Sequence, residues 1–244
     1  MKRPELAVVM PVYNEEGAIR NVIKKWTDEL ETLGVEFEIH AYNDGSKDRS
    51  LDVLRELAAQ NARLVVHNKK NSGHGPTILQ GYRESSDSQW IFQIDSDDEI
   101  GCESFQELWE KRNDFDFLIG SRIRPNQPLP RKIVSSFSRA TVQMFYGKKV
   151  YDVNCPFRLM RCAVFKKYFR SLPENLFAPN VILSGIASMD NLRVCEIPVQ
   201  QKERSTGEVS IKKFRLLRAA LTSYRQTISQ RFRLRELVPP SIQS

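Results

Sequence analysis

With 244 residues, 41% of them hydrophobic, the chain can bury one large core, and single domains of this size are ordinary for α/β folds. No run of eighteen apolar residues occurs, and Met1-Lys2-Arg3-Pro4 leads straight into a strand-like segment, so neither a membrane-crossing helix nor a secretory leader is predicted. The net charge of +7 is concentrated after Gln201, where ten Lys or Arg face three acids, and such a tail predicts an anionic partner surface, either lipid headgroups or nucleic acid. Cys102, Cys155, Cys162 and Cys195 show no C-x-x-C spacing, which predicts reduced thiols in the cytosol. His40, His67 and His74 are scattered in sequence, which argues against a histidine-bound metal.

Leu6–Val12 is an apolar run that reads as a buried strand, with Tyr13-Asn14-Glu15-Glu16 as the loop and helix start that follow. Ile19, Val22, Ile23, Trp26 and Leu30 then recur at helical spacing and predict an amphipathic helix covering a sheet. Phe37–Tyr42 alternates as a second strand and ends in Asn43-Asp44-Gly45-Ser46-Lys47-Asp48, ahead of a helix carrying Leu51, Leu54 and Leu57. Leu64–Val66 predicts a third strand. After the loop Asn71–Pro76, a helix to about Glu84 is expected. Trp90–Ile94 predicts a central strand, followed by a helix near 105–111 and a strand over Phe115–Ile119. The alternation of strand and helix predicts a parallel, right-handed, doubly wound sheet.

The strand from Trp90 ends in Asp95-Ser96-Asp97-Asp98-Glu99. Crowded like charges repel unless a cation lies between them, and Asp95 and Asp97 straddle one residue at a turn. Oxygen-only ligands predict Mg²⁺ or Mn²⁺, ions that bind substrate phosphates together with one or two carboxylates. A solvated acidic turn opening a helix is the structural alternative. Position decides between them, because open α/β sheets bind ligands outside the carboxyl ends of their strands. Pro11–Glu15, Asn43–Ser46, Asp95–Asp97 and Gly120-Ser121-Arg122 all fall at such ends. No G-x-G-x-x-G follows the first strand and no P-loop signature occurs, so dinucleotide and P-loop nucleotide chemistry are poor fits.

Four ordered segments, Val9–Glu15, Asn43–Asp48, Asp95-Ser96-Asp97 and Gly120-Ser121-Arg122, resemble the signature of inverting family-two glycosyltransferases. Tyr151–Arg161 and Glu203–Ser210 are further similar to the D-x-x-x-G-F-R and E-R-x-x-G-x-S-K patterns of the dolichyl-phosphate mannose synthase-like branch. The resemblance implies a glycosyltransferase-A fold, a Rossmann-like, mostly parallel sheet flanked by helices. The catalytic domain would span residues 1–210, with a nucleotide-sugar half at 1–122 and an acceptor half at 123–210. A basic amphipathic segment, 211–244, would follow. The implied reaction is inverting, metal-dependent transfer of a sugar from a UDP- or GDP-sugar to a polyprenyl phosphate, dolichyl or undecaprenyl. By the same resemblance Pro11, Tyr13, Glu15 and Asp44 hold the nucleoside, with the amide of Asn43 where many relatives carry Asp. Asp95, Asp97 and Glu99 organise the metal and diphosphate. Arg122, Arg131, Ser135 and Arg204 surround the phosphates, Arg131 and Ser135 lying just after a Pro-rich mobile loop, Pro125–Pro130.

Departures from the pattern are Pro156 in place of glycine, Ile211 in place of lysine, and Asn180 where relatives often place Glu. A hydroxyl acceptor needs a general base, whereas a lipid phosphate is already anionic and needs cationic partners. Asn180 in place of an acid therefore favours a phosphate acceptor, with Asp152 or Asp190 as alternative bases and with Asp152 expected to hold Arg158. The competing expectation is transfer to a glycan or saccharide-lipid hydroxyl in surface polysaccharide synthesis. Phe214, Leu217, Leu221, Tyr224, Ile228 and Phe232 follow helical spacing among basic residues, which predicts an interfacial helix on anionic lipid or a helix packed on the body. No nucleic-acid motif or stacking platform accompanies the basic tail, so nucleic acid is not expected as a partner. The expected location is peripheral, on the cytoplasmic face of a membrane, with a membrane-anchored protein as a possible partner.

Overall fold

The computed structural model describes residues 3–123, 129–202 and 213–237. Its centre is a seven-stranded sheet built from β1 (Leu6–Val12), β2 (Phe37–Asp44), β3 (Leu64–Lys69), β4 (Trp90–Gln93), β5 (Phe117–Ile123), β6 (Arg158–Arg161) and β7 (Val194–Gln200). The spatial order is β3-β2-β1-β4-β6-β5-β7. β6 alone runs against its neighbours, pairing antiparallel with both β4 and β5, while the remaining pairs are parallel. The sheet is thus mostly parallel, as expected. Every residue of β1 and β4 is buried, the mark of a central strand covered on both faces.

Side chains alternate between two helical layers. The helix α1 (Ile19–Thr32) buries Ile19, Val22, Ile23, Trp26 and Leu30, the set its spacing predicted. Trp26 meets Phe92 of β4 at 5.2 Å, and the short helix α4 (Phe105–Glu110) brings Phe105 onto both rings. α2 (Ser50–Ala58) packs beside α1. The next residue of β4, Gln93, points to the opposite face, where α3 (His74–Glu84) lies and where Gly81 lets Val9 and Tyr42 approach its backbone. On this side α6 (Cys162–Ser171) and α7 (Pro179–Met189) complete the layer, followed by α5 (Leu129–Phe145) and α8 (Lys213–Leu237). All four cysteines are free.

One strand boundary shifts. β5 runs to Ile123 instead of ending near Ile119, so Gly120-Ser121-Arg122 lie inside a strand paired with Ile197–Val199 of β7. α8 packs on α5 and α7 through Ser223, Thr227, Gln230 and Leu234, all buried, while Leu221 and Phe232 are 50% and 58% exposed. Among its described side chains, the polar Ser223, Thr227 and Gln230 look inward and the apolar Leu221 and Phe232 outward.

Candidate active site

The carboxyl ends of β1, β2 and β4 share one rim, and their loops are stitched together. Asn14, in the left-handed region at φ 57°, donates its N–H to Ser46 Oγ (3.0 Å) and accepts from Lys47 N–H (2.8 Å). Glu15 N–H donates to Ser50 Oγ at 2.8 Å, which holds Glu15 buried against α2 while Tyr13 stays 39% exposed. Pro11 is buried within β1 itself. Asn43 is buried and donates Nδ2–H to Asn68 Oδ1 at 2.8 Å.

Asp44 ties β2 to the loop that opens α3. Its carboxylate accepts from Lys69 Nζ (2.5 Å), Ser72 N–H (2.8 Å) and Gly73 N–H (2.8 Å), and Asn71 Nδ2 donates to its carbonyl (2.8 Å). Burial pushes the Asp44 carboxyl up, but Lys69 and the two backbone donors hold it below the usual carboxylate range. Gly45 sits at φ +68°, and a Cβ there would lie 2.8 Å from Asn71 N, so the close loop approach requires glycine. Gly75 serves likewise at the start of α3, where a Cβ would meet the Leu176 carbonyl at 2.2 Å.

The acidic turn after β4 lines a cleft together with Arg122, Pro156 and Gln201. Asp95, Asp97 and Glu99 all face it, as the sequence led one to expect. Asp98 instead turns away, at φ 57°, and binds Lys25 Nζ at 2.6 Å. Glu99 is met by Gln201 Nε2, and its carbonyl accepts Lys202 N–H at 2.8 Å, so the chain leaving β7 is pinned to the acidic turn. Among the described residues no three His, Cys, Asp or Glu side chains already close around an ion. The donor set nevertheless fits a hard cation, because the three carboxylates facing the cleft offer only oxygen.

Arg122 forms a bidentate pair with Asp152, Nε to Oδ2 and Nη2 to Oδ1, both at 2.7 Å. Burial alone would pull the Arg122 guanidinium down, but Asp152 keeps it above its ordinary value, so it stays a cation at the cleft. Asp152 therefore holds Arg122 and not Arg158, a correction to the expectation. Arg158 is fully buried and donates to the carbonyls of Cys155, Val153 and Asn180. Asn180 lies buried under β4, bonded to Tyr82 and Gln93. Asp190 caps α7 beside Lys167, away from the cleft-lining residues. Ser135 is exposed on α5. Arg131 lies on the same helix, its side chain outside the described residues. Arg204 and residues 124–128 are likewise outside them.

Two of the three histidines meet in space. His40 Nδ1 and His67 Nε2 lie 3.1 Å apart, and the His67 ring stacks on Tyr42. His74, missed by the sequence reading, places Nε2 3.1 Å from Asp95 Oδ1 at the first turn of α3. Burial lowers the His74 pKa, but Asp95, with Asp97 and Asp44 behind it, raises it overall. For Asp95 burial acts upward, and His74, Arg122 and Arg158 hold the carboxyl below its usual range.

The mostly parallel sheet thus gathers three carboxylates and an arginine paired with Asp152 at one rim, the place where open α/β sheets bind ligands. The chain belongs to glycosyl transferase family 2, whose model matches residues 7–169. Among curated proteins it is 30% identical over 216 residues to an undecaprenyl-phosphate 4-deoxy-4-formamido-L-arabinose transferase from Pseudomonas paraeruginosa, covering 87% of this chain and 62% of that one. The chain thus spans under two thirds of that relative's length. Its fold is similar to glucosyl-3-phosphoglycerate synthase from Mycobacterium tuberculosis, crystallised with Mn²⁺, UDP-glucose and phosphoglyceric acid (TM-score 0.66, 14% identity, 94% of this chain and 80% of that one). It is also similar to mannosyl-3-phosphoglycerate synthase from Rubrobacter xylanophilus (TM-score 0.65, 13% identity, 98% and 77% covered).

Proposed function

We infer that this protein transfers a sugar from a nucleotide-sugar donor, UDP- or GDP-linked, to the phosphate of a polyprenyl lipid, with inversion at the anomeric carbon. The observation that carries this reading is the composition of the cleft. Among the described residues lining it, the acids are Asp95, Asp97 and Glu99, grouped for a cation, while Asp152 is spent on Arg122. No further described carboxylate faces the cleft to deprotonate a hydroxyl, whereas an anionic phosphate acceptor needs no base. The curated relative, named for undecaprenyl phosphate, supports the same acceptor.

In this reading Pro11, Tyr13, Glu15, Asn43 and Asp44 form the nucleoside side of the rim, and Asp95, Asp97 and Glu99 hold Mg²⁺ or Mn²⁺ against the donor diphosphate. The cation supplies charge neutralisation on the leaving group. Arg122, aimed by Asp152, offers its remaining N–H groups to phosphate oxygens, with Arg131, Ser135 and Arg204 as further contacts. A lipid phosphate oxygen forms the new bond to the anomeric carbon while the bond to the diphosphate breaks on the opposite face. The nucleoside diphosphate leaves with the electron pair. Added short polyprenyl phosphate is expected to drive nucleoside diphosphate release from one sugar nucleotide of a UDP and GDP panel. Release unaffected by the lipid but stimulated by saccharide acceptors would overturn the assignment.

The two outermost helices support a peripheral position on the cytoplasmic face of an anionic membrane. α5 turns Ile133, Phe137 and Met144 to one side at helical spacing, with Ile133 65% and Met144 79% exposed, and Leu221 and Phe232 lie outward on the neighbouring α8. Phe137 meets Tyr224 at 5.1 Å, joining the two helices. α5 carries three basic residues and no acid, and α8 seven basic residues and one acid, so the charge complements phosphatidylglycerol rather than an acid-poor protein face. No described helix is long and apolar enough to cross a membrane. The full chain is expected to sediment with phosphatidylglycerol vesicles, less so at high salt, and the pair Ile133→Glu with Phe232→Glu should weaken binding about tenfold. Equal binding to neutral vesicles would overturn the anionic preference, and no vesicle binding, or no effect of the pair, would instead point to a membrane-anchored protein as the occupant of this face.

A further inference from the structure

Behind Asp95 lies a buried polar chain that the transfer reaction as described does not use. Gln93 (0% exposed), Tyr82 (0%) and Asn180 (2%) form a closed group between β4, α3 and α7. The single hydroxyl proton of Tyr82 faces Asn180 Oδ1 at 2.8 Å, with Gln93 Oε1 at 3.1 Å. Asn180 Nδ2 donates to Gln93 Oε1 at 2.8 Å. Arg158 Nη1 in turn donates to the Asn180 carbonyl at 3.0 Å and fixes the first turn of α7.

This order of donors has a directional consequence. With Oε1 of Gln93 occupied, its Nε2 is the group left to face Asp95, and it donates to Asp95 Oδ1 at 2.9 Å. His74 Nε2 meets the same oxygen at 3.1 Å. Both neighbours therefore settle on Oδ1, so Oδ2 is the oxygen presented to a ligand. A carboxylate on a strand end would otherwise rotate about its last bond, and ordering it at the moment of binding would cost affinity. We propose that Tyr82, Asn180 and Gln93 are positioning residues that orient Asp95 for the cation and diphosphate, so that α7 of the acceptor half sets the geometry of the donor site. The inference rests on the reading of Asp95 as a ligand of that cation.

The test is Mn²⁺ binding, followed by the electron paramagnetic resonance signal of free Mn²⁺, with saturating UDP and in parallel with GDP. Gln93→Met keeps side-chain length and burial but removes the donor. Asn180→Asp keeps shape but removes the donor to Oε1, so the Gln93 amide turns over and presents an oxygen to Asp95. Each change is expected to raise the Mn²⁺ dissociation constant about tenfold, the lower end of what loss of a ligand-orienting partner costs. Ser184→Ala, which removes another buried α7 hydroxyl, bonded to the Val153 carbonyl, controls for simple loosening of the core and should leave Mn²⁺ binding unchanged. Asp95→Asn separates the two layers of the argument. If Asp95→Asn loses Mn²⁺ while Gln93→Met and Asn180→Asp bind as the wild type does, the positioning role is overturned and the site stands. If Asp95→Asn itself binds Mn²⁺ normally, the cation site fails and the positioning role with it. A Ser184→Ala effect as large as the others would also overturn the proposal.

Discussion

Replacing Asp97 by alanine should lower turnover by about 10³-fold, or about 4 kcal/mol of transition-state stabilisation. Asp97 lines the cleft with Asp95 and Glu99, and its Oδ1 accepts Glu99 N–H at 3.2 Å, so it shapes the turn and, in the proposed reaction, would offer an oxygen to the cation. In the proposed reaction the leaving diphosphate builds charge where these carboxylates hold the metal, and loss of one ligand is felt more in the transition state than in donor binding. The substitution removes one of several crowded acids, so the thermal midpoint should not fall. Measured kcat within a factor of about ten of wild type, with folding intact, would remove Asp97 from the site.

Arg158→Met should destabilise the protein by about 3 kcal/mol, the largest single effect expected away from the cleft. Two terms compete. Burial pulls the Arg158 guanidinium below its ordinary pKa, so its desolvation is costly and methionine relieves it. Against this, the guanidinium saturates the carbonyls of Cys155, Val153 and Asn180, and each buried carbonyl left unpaired costs about 1–3 kcal/mol. Val153 keeps the Ser184 hydroxyl, but the Cys155 carbonyl loses both of its guanidinium donors, and that loss, with the Asn180 contact and the planar volume that methionine does not refill, outweighs the relief. For a chain of this size the loss corresponds to a thermal midpoint lower by about 6–12 °C. A midpoint within about 2 °C of wild type would mean that water or a backbone shift satisfies the carbonyls instead.

The elements that sequence reading located best are those with a strong period or an abrupt end. α1 declares itself because one face is apolar and the other charged, and β4 because four buried residues run straight into acids. α7 stays hidden for the opposite reason: residues 179–188 are all buried, so no stripe distinguishes its faces and its short apolar run reads equally well as strand. β6 is equally silent, four residues within a motif read only for its resemblance. At the site, Asp95, Asp97, Glu99 and Arg122 were legible because they sit at strand ends or within them near the rim. His74 and Gln93 were not, since their importance comes from a partner about twenty residues away in one case and from an inward-facing strand position in the other. Asn180 stands out in the sequence as an amide where relatives often carry Glu, and its burial against Tyr82 and Gln93 appears only in the fold.

The placement of β6 bears on how the chain is made. The first four strands can assemble as soon as they are synthesised, but β4 pairs on its far side only with β6, whose residues 158–161 come some sixty-five positions later. At ribosomal speeds of about 5–20 residues per second, that edge waits on the order of 3–13 seconds with Trp90, Ile91 and Phe92 ready to pair with any passing strand. Asp95, Asp97, Asp98 and Glu99, which follow directly on that edge, are side chains of the kind that disfavour pairing with a foreign strand.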